Sequence, residues 1–120
     1  MENSFRKLVV WQKSMELVTE VYRVVRLLPK EELYALSSQM RRAAVSIPSN
    51  IAEGRARNSN KEFIQFLSIA RGSYAELQTQ LLICVNLRYL TEEQISKAMD
   101  LSEEVGKMLN KFIIKLTAEG

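Results

Sequence analysis

Apolar residues recur at steps of three and four along almost the whole chain, interrupted only near Pro29, Asn58 and Thr91. That spacing places them on one face of a helix, so the pattern predicts four helices. The first, over 5–28, carries two adjacent stripes: Leu8, Trp11, Met15, Val18, Tyr22 and Val25, then Val10, Leu17, Val21, Val24 and Leu28. Two stripes make a wider apolar face than one bundle core needs, which fits either deep burial or packing on another subunit. The second helix is predicted over 32–57, with Leu33, Leu36, Met40, Ala43, Ile47 and Ile51 as its stripe. The third covers 61–90 through Phe63, Phe66, Ala70, Ser73, Leu77, Leu81, Cys84 and Arg88, widened by Leu67, Tyr74 and Val85. The fourth runs to about Leu116 through Ile95, Ala98, Leu101, Val105, Leu109 and Phe112.

The punctuation agrees with this division. A polar lead over 1–4 precedes the first helix. Pro29 ends that helix, because proline lacks the amide donor and disfavours helix in the residue before it. Glu31 and Glu32 suit the start of the second helix, where carboxylates oppose the dipole. Pro48 lies inside the second helix and predicts a kink, or a break with Ser46 or Ser49 as a new cap. Ser59 or Asn60 caps the third helix, and Thr91 with Gln94 forms a capping box for the fourth. Gly72 costs about 1 kcal/mol in mid-helix, so a close neighbour is expected there, at Ala43-Ala44 or Pro48. Four long helices joined by short turns specify an all-α, antiparallel up-down-up-down four-helix bundle, a single domain over 1–120.

One stretch, SSQMRRAAVSIPSNIAEGRAR over 37–57, has a second pattern. Gln39, Arg42, Ser46, Asn50, Glu53 and Arg57 repeat at helical steps beside the apolar stripe. Four arginines, Arg41, Arg42, Arg55 and Arg57, flank it. A network of Arg42 with Glu53, or of Arg41 with Asn50 and Glu53 of a neighbouring chain, would fix helix or subunit register. The same arginines with Lys61 and Arg71 form a candidate nucleic-acid-binding set, since the guanidinium fork holds two phosphate oxygens at once. Gly54 offers a left-handed helix end, which would put Arg55 and Arg57 in a loop. Trp11, Tyr22, Tyr34, Tyr74 and Tyr89 sit on helical stripes and read as core or interface packing.

Composition narrows the chemistry. The 120 residues carry a formal charge of +3, which permits a nucleic-acid partner without requiring one. Residues 1–57 hold the basic excess, whereas 89–120 are net acidic. There is no histidine, and Cys84 is the lone cysteine, set among Leu81, Leu82, Ile83 and Val85 as a core residue. That excludes the common zinc sites and the histidine-based nucleophile systems, so no metal, cofactor or catalytic residue is expected. Glu53 alone makes a poor acid-base site. SIPSNIAEG holds one glycine and is no phosphate-cradling loop. No leader or membrane-spanning run is visible, and a cytoplasmic place is expected.

LVVWQKSMELVTEVY, LPKEELYALSSQMRRAAVSIPSNIAEG and EFIQFLSIARGSYAELQTQL together resemble the 23S rRNA intervening-sequence proteins of bacteria. The likeness covers about 5–116 and is most specific at 46–54. It implies a four-helix bundle that associates as a pentamer, encoded in many cases within insertions in large-subunit ribosomal RNA genes. The accessory variability determinant proteins of diversity-generating retroelements are similar in fold, and are basic pentamers that bind nucleic acid and a reverse transcriptase. The resemblance thus implies a non-enzymatic homo-oligomer. It either binds RNA or DNA through its arginines or serves as a scaffold for a protein partner.

Overall fold

A computed structural model describes residues 4–120; residues 1–3 of the polar lead lie outside the described residues. Four helices follow in order: α1 (Val9–Val25), α2 (Leu36–Arg55), α3 (Asn60–Asn86) and α4 (Glu92–Glu119). Each packs antiparallel on the next, and α4 closes back on α1, which gives the expected up-down-up-down bundle, 45 Å long and about 20 Å across. There is no strand among the described residues.

The helix starts differ from expectation for local reasons. Residues 5–8 are not part of α1. Ser4 Oγ accepts from the Arg6 amide at 3.1 Å and holds Phe5–Lys7 in a separate 3-10 turn, after which Leu8 is extended. The Phe5 ring then meets Trp11 edge-on at 5.2 Å. Similarly, α2 begins at Leu36, not Glu32. Lys30–Glu32 form a second 3-10 turn, and Glu32 reaches forward to accept from the Leu36 amide at 3.3 Å. The acidic residue does serve the helix start, but from four residues ahead of it. Leu33 therefore precedes the helix and is exposed.

Pro48 sits inside an unbroken α2, so neither Ser46 nor Ser49 opens a new helix. α3 opens as predicted, with Ser59 Oγ accepting from the Glu62 amide at 3.2 Å. It stops at Asn86 because Arg88 adopts a left-handed φ of 65°, and the Tyr89 and Leu90 amides donate back to the Cys84 carbonyl. Arg88 is thus outside the helical stripe. The Thr91–Gln94 capping box is formed in both directions, at 3.1 and 2.9 Å.

The core is built from one stripe of each helix. Leu17, Val21 and Val24 meet Met40, Ile47 and Ile51, with Leu67, Leu77 and Leu81 and then Val105 and Leu109 completing it, all fully buried. Cys84 is buried among them with its Sγ 3.7 Å from Met40 Sδ, and burial pushes its thiol up to about 11. Of the two α1 stripes, the second forms the core, joined by Val25 of the first. Met15 and Tyr22 of the first are exposed, and Trp11 and Val18 are half-buried. Tyr34 is 91% exposed and belongs to no core stripe.

The glycines correct two expectations. Gly72 meets nothing within 4 Å of where a Cβ would stand, so no neighbour requires it. Gly54 lies inside α2 without a left-handed φ, and its role is close approach: an added Cβ would stand 2.7 Å from Phe66 Cβ and 2.9 Å from Phe63 Cδ1. Gly106 does the same for α4, under the ring of Tyr74.

Candidate nucleic-acid interface

The predicted basic set is not one patch. Arg41 and Arg42 stand in the first half of α2, toward the α1–α2 turn, beside Tyr22, Ser38 and Val45, where they line a shallow depression. Arg55 lies fourteen residues beyond Arg41, or about 21 Å at 1.5 Å per residue. Arg71 stands on the α3–α4 face, donating from Nη1 to Asn110 Oδ1 at 3.0 Å, level with Lys107 and Lys111 of α4. Three members do come together. Arg55 and Arg57, with Asn58, Ser59, Asn60 and Phe63, line a hollow at the α2–α3 turn, and exposed Lys61 follows at the first turn of α3.

Aromatic rings hold these arginines in place. The Arg57 guanidinium lies 4.8 Å from the centre of Phe66 and donates from Nη2 to Glu53 Oε2 at 2.8 Å. Arg55 lies 5.9 Å from the centre of Phe63. Phe63 in turn packs edge-on against Phe112 of α4 at 5.1 Å. That ring pair brings the start of α3 to the end of α4, as antiparallel packing requires.

The topology therefore collects charge that the sequence keeps apart. One end of the bundle contains the start of α1, the α2–α3 turn and the last turns of α4. Arg6 and Lys7 come from the first segment, Arg55, Arg57 and Lys61 from the second, and Lys107, Lys111 and Lys115 from the third. Among the described residues, Glu53, Glu62 and Glu119 are the acids there. These eight cations and three acids, all among the described residues, sum to +5 in a chain of +3. Arg6, Lys7 and the three α4 lysines are the residues that sequence reasoning missed. Summing 89–120 as a block hides them, because the acids of that block lie mostly in the first half of α4. The signal that finds them is the row Lys107, Lys111, Lys115, one helical turn apart, read together with the up-down topology.

The polar stripe divides similarly. Ser73 of α3 donates its hydroxyl to Ser46 Oγ at 2.9 Å, and Asn50 Nδ2 donates to the Ser46 carbonyl and hydroxyl at 2.8 and 2.9 Å. This network closes within one chain, across the α2–α3 seam. Gln39, Arg42 and Glu53 are exposed. Within a chain, Glu53 pairs with Arg57 one turn away and not with Arg42, which is eleven residues off. Between α1 and α2, Trp11, Met15, Val18, Val45, Pro48, Ser49 and Ala52 line an open apolar groove.

Among the described residues, no group of three His, Cys, Asp or Glu side chains could hold a metal ion, and no helix is long and apolar enough to cross a membrane. Fold and surface together define a four-helix bundle whose chemistry is concentrated surface charge at one end. The chain belongs to the 23S rRNA-intervening sequence protein family, whose model matches residues 6–111. It is similar to a crystal structure from Bacteroides thetaiotaomicron VPI-5482, described as a protein with unknown function from the S23 ribosomal protein family. The two share 29% identity, with a TM-score of 0.81 over 88% of this chain and 98% of that one. No curated protein matches the chain.

Proposed function

We propose that this chain is a non-enzymatic, homo-oligomeric bundle that binds nucleic acid through its basic end. The observation that carries this reading is the convergence of three distant segments, and eight basic side chains, on one end of the bundle. The Glu53–Arg57 ion pair there is no obstacle. It is exposed, and such pairs contribute at most about 1 kcal/mol, which a phosphate readily replaces. Each phosphate neutralised releases counterions, so affinity rises with the number of cations that reach the backbone. In a ring of copies, five by family resemblance, the end would be repeated and its phosphate binding multiplied. The groove of Trp11, Met15, Val18, Val45, Pro48 and Ala52 supports assembly, because it leaves an apolar face of α1 and α2 uncovered in the single chain. A cytoplasmic place goes with this role.

The test compares two charge-neutralised variants for RNA binding by fluorescence anisotropy. Arg55→Gln/Arg57→Gln/Lys61→Gln should lower the slope of log affinity against log salt by about 0.7–0.9 for each phosphate no longer neutralised. Arg41→Gln/Arg42→Gln, toward the opposite end of α2, should change it much less. The reverse order would assign binding to the α2 face instead of the basic end.

A further inference from the structure

Between the start of α1 and the end of α4 lies an open cup of about 310 Å³. Its floor is apolar, made by Leu8, Val9, Val10, Met108 and Phe112, and Lys111 and Lys115 stand on its rim. The volume is at the lower end of the roughly 300–1,000 Å³ of small-ligand sites. Val9 is 57% exposed and lines the cup. The cup joins the hollow at the α2–α3 turn through the Phe63–Phe112 ring pair.

A purely electrostatic binder of duplex backbone needs no apolar hollow among its cations. A duplex presents phosphates and groove edges, while its base faces are stacked and hidden. A single strand or loop presents bare base faces joined by evenly spaced phosphates, and these fit an apolar or aromatic floor with cations beside it. We infer that the cup receives one unpaired nucleobase, with Lys111 and Lys115 on the flanking phosphates and the strand continuing past Phe112 and Phe63 toward Arg55, Arg57 and Lys61. This rests on the basic end being a nucleic-acid surface and adds the class of ligand: unpaired strands or loops, not continuous duplex. Charge complementarity selects the occupant, because the cup opens on the end that carries the net +5. The base face is what the cup holds, so it serves RNA and DNA alike.

The experiment measures affinity of the full chain for four probes of equal length at one salt concentration: single-stranded RNA, single-stranded DNA, a DNA duplex, and a single strand with abasic sites at its centre. Stacking of a base on an aromatic ring, here Phe112, is worth about 1–3 kcal/mol, or roughly 5- to 150-fold. Both intact single strands should therefore bind at least about fivefold tighter than the abasic strand, and tighter than the duplex. Val9→Ser, at an exposed position, should narrow the difference between intact and abasic strands while leaving the salt slope unchanged. Lys111→Gln/Lys115→Gln should lower the slope on all probes. Equal binding of intact and abasic strands, or preference for the duplex, would overturn the base-cup inference and leave the basic-end reading standing. Preference for RNA over DNA by more than the abasic effect would also overturn it, by pointing to the sugar hydroxyl and not the base. Displacement of every strand by an acidic amphipathic peptide, without effect of Val9→Ser on any strand, would reassign the cup to a protein partner. Absence of binding to all four probes at low salt would bring down the reading of the basic end itself.

Discussion

Glycine substitution gives a sharp test of the packing, because Gly54 and Gly72 are both helical and their surroundings are opposite. Replacing a helical glycine by alanine stabilises by about 1 kcal/mol where nothing intervenes. At Gly72 nothing lies within 4 Å, so Gly72→Ala should realise that gain in full. At Gly54 the added carbon would stand 2.7 Å from Phe66 Cβ and 3.3 Å from the Phe63 carbonyl oxygen. Neither atom swings away on a flexible side chain, so α3 would have to move off α2. Overpacking costs roughly 1–3 kcal/mol, and approaches this short to backbone-fixed atoms take the upper end. Less the propensity gain, Gly54→Ala should lose about 2 kcal/mol. For a domain between the small and large size classes, this is about +4 °C for Gly72→Ala and about −8 °C for Gly54→Ala. Thermal unfolding followed by far-UV circular dichroism reads both shifts. A Gly54→Ala protein as stable as the parent, or a Gly72→Ala protein less stable, would refute the assignment of close approach. Gly106→Ala should fall between the two, because it meets only the outer ring atoms of Tyr74, which can turn aside.

Two further predictions concern titration. Burial holds the Cys84 thiol neutral up to about 11, so the native protein should resist thiol-modifying reagents that label the unfolded chain at once. Because the unfolded chain releases that proton near 8.5, stability should fall as the pH rises from there toward 11, and Cys84→Ala should flatten part of the fall. Tyr89, whose phenol is held up by its hydrogen bond to Glu32, supplies another part. Glu20 is the opposite case. It is buried on α1, and the hydrogen bonds from Arg23 lower its carboxyl pKa against the desolvation that raises it. Its contribution is present above the unfolded carboxylate range and lost as the pH falls through the folded value. Glu20→Gln should therefore be less stable than the parent at neutral pH, and denaturant midpoints should converge below about pH 4.

The fold is legible in the sequence because periodicity and caps agree with tertiary packing. The stripes at Leu17–Val24, Met40–Ile51 and Ile95–Leu109 form the core, and the caps at Ser59 and Thr91 form as their residue types dictate. What spacing does not reveal is local competition. Ser4 and Glu32 use their side chains to delay two helices, and Arg88 ends a third by taking a left-handed φ. Gly72 is the glycine that looks costly, yet Gly54 and Gly106 are the ones with neighbours, since close approach depends on which residue stands opposite. The candidate site is half legible. Arg55, Arg57 and Lys61 are near one another in sequence and in space. Arg6, Lys7, Lys107, Lys111 and Lys115 join them only through the antiparallel turns of the bundle.

The most direct measurement is the affinity of the purified protein for structured bacterial RNA and for duplex DNA across a salt titration. A basic end that neutralises several phosphates predicts measurable binding near 50 mM salt and a log–log slope of several units, each phosphate contributing about 0.7–0.9. Absence of binding at that salt, or an affinity that does not change with salt, would contradict the account and leave the concentrated charge without a nucleic-acid role.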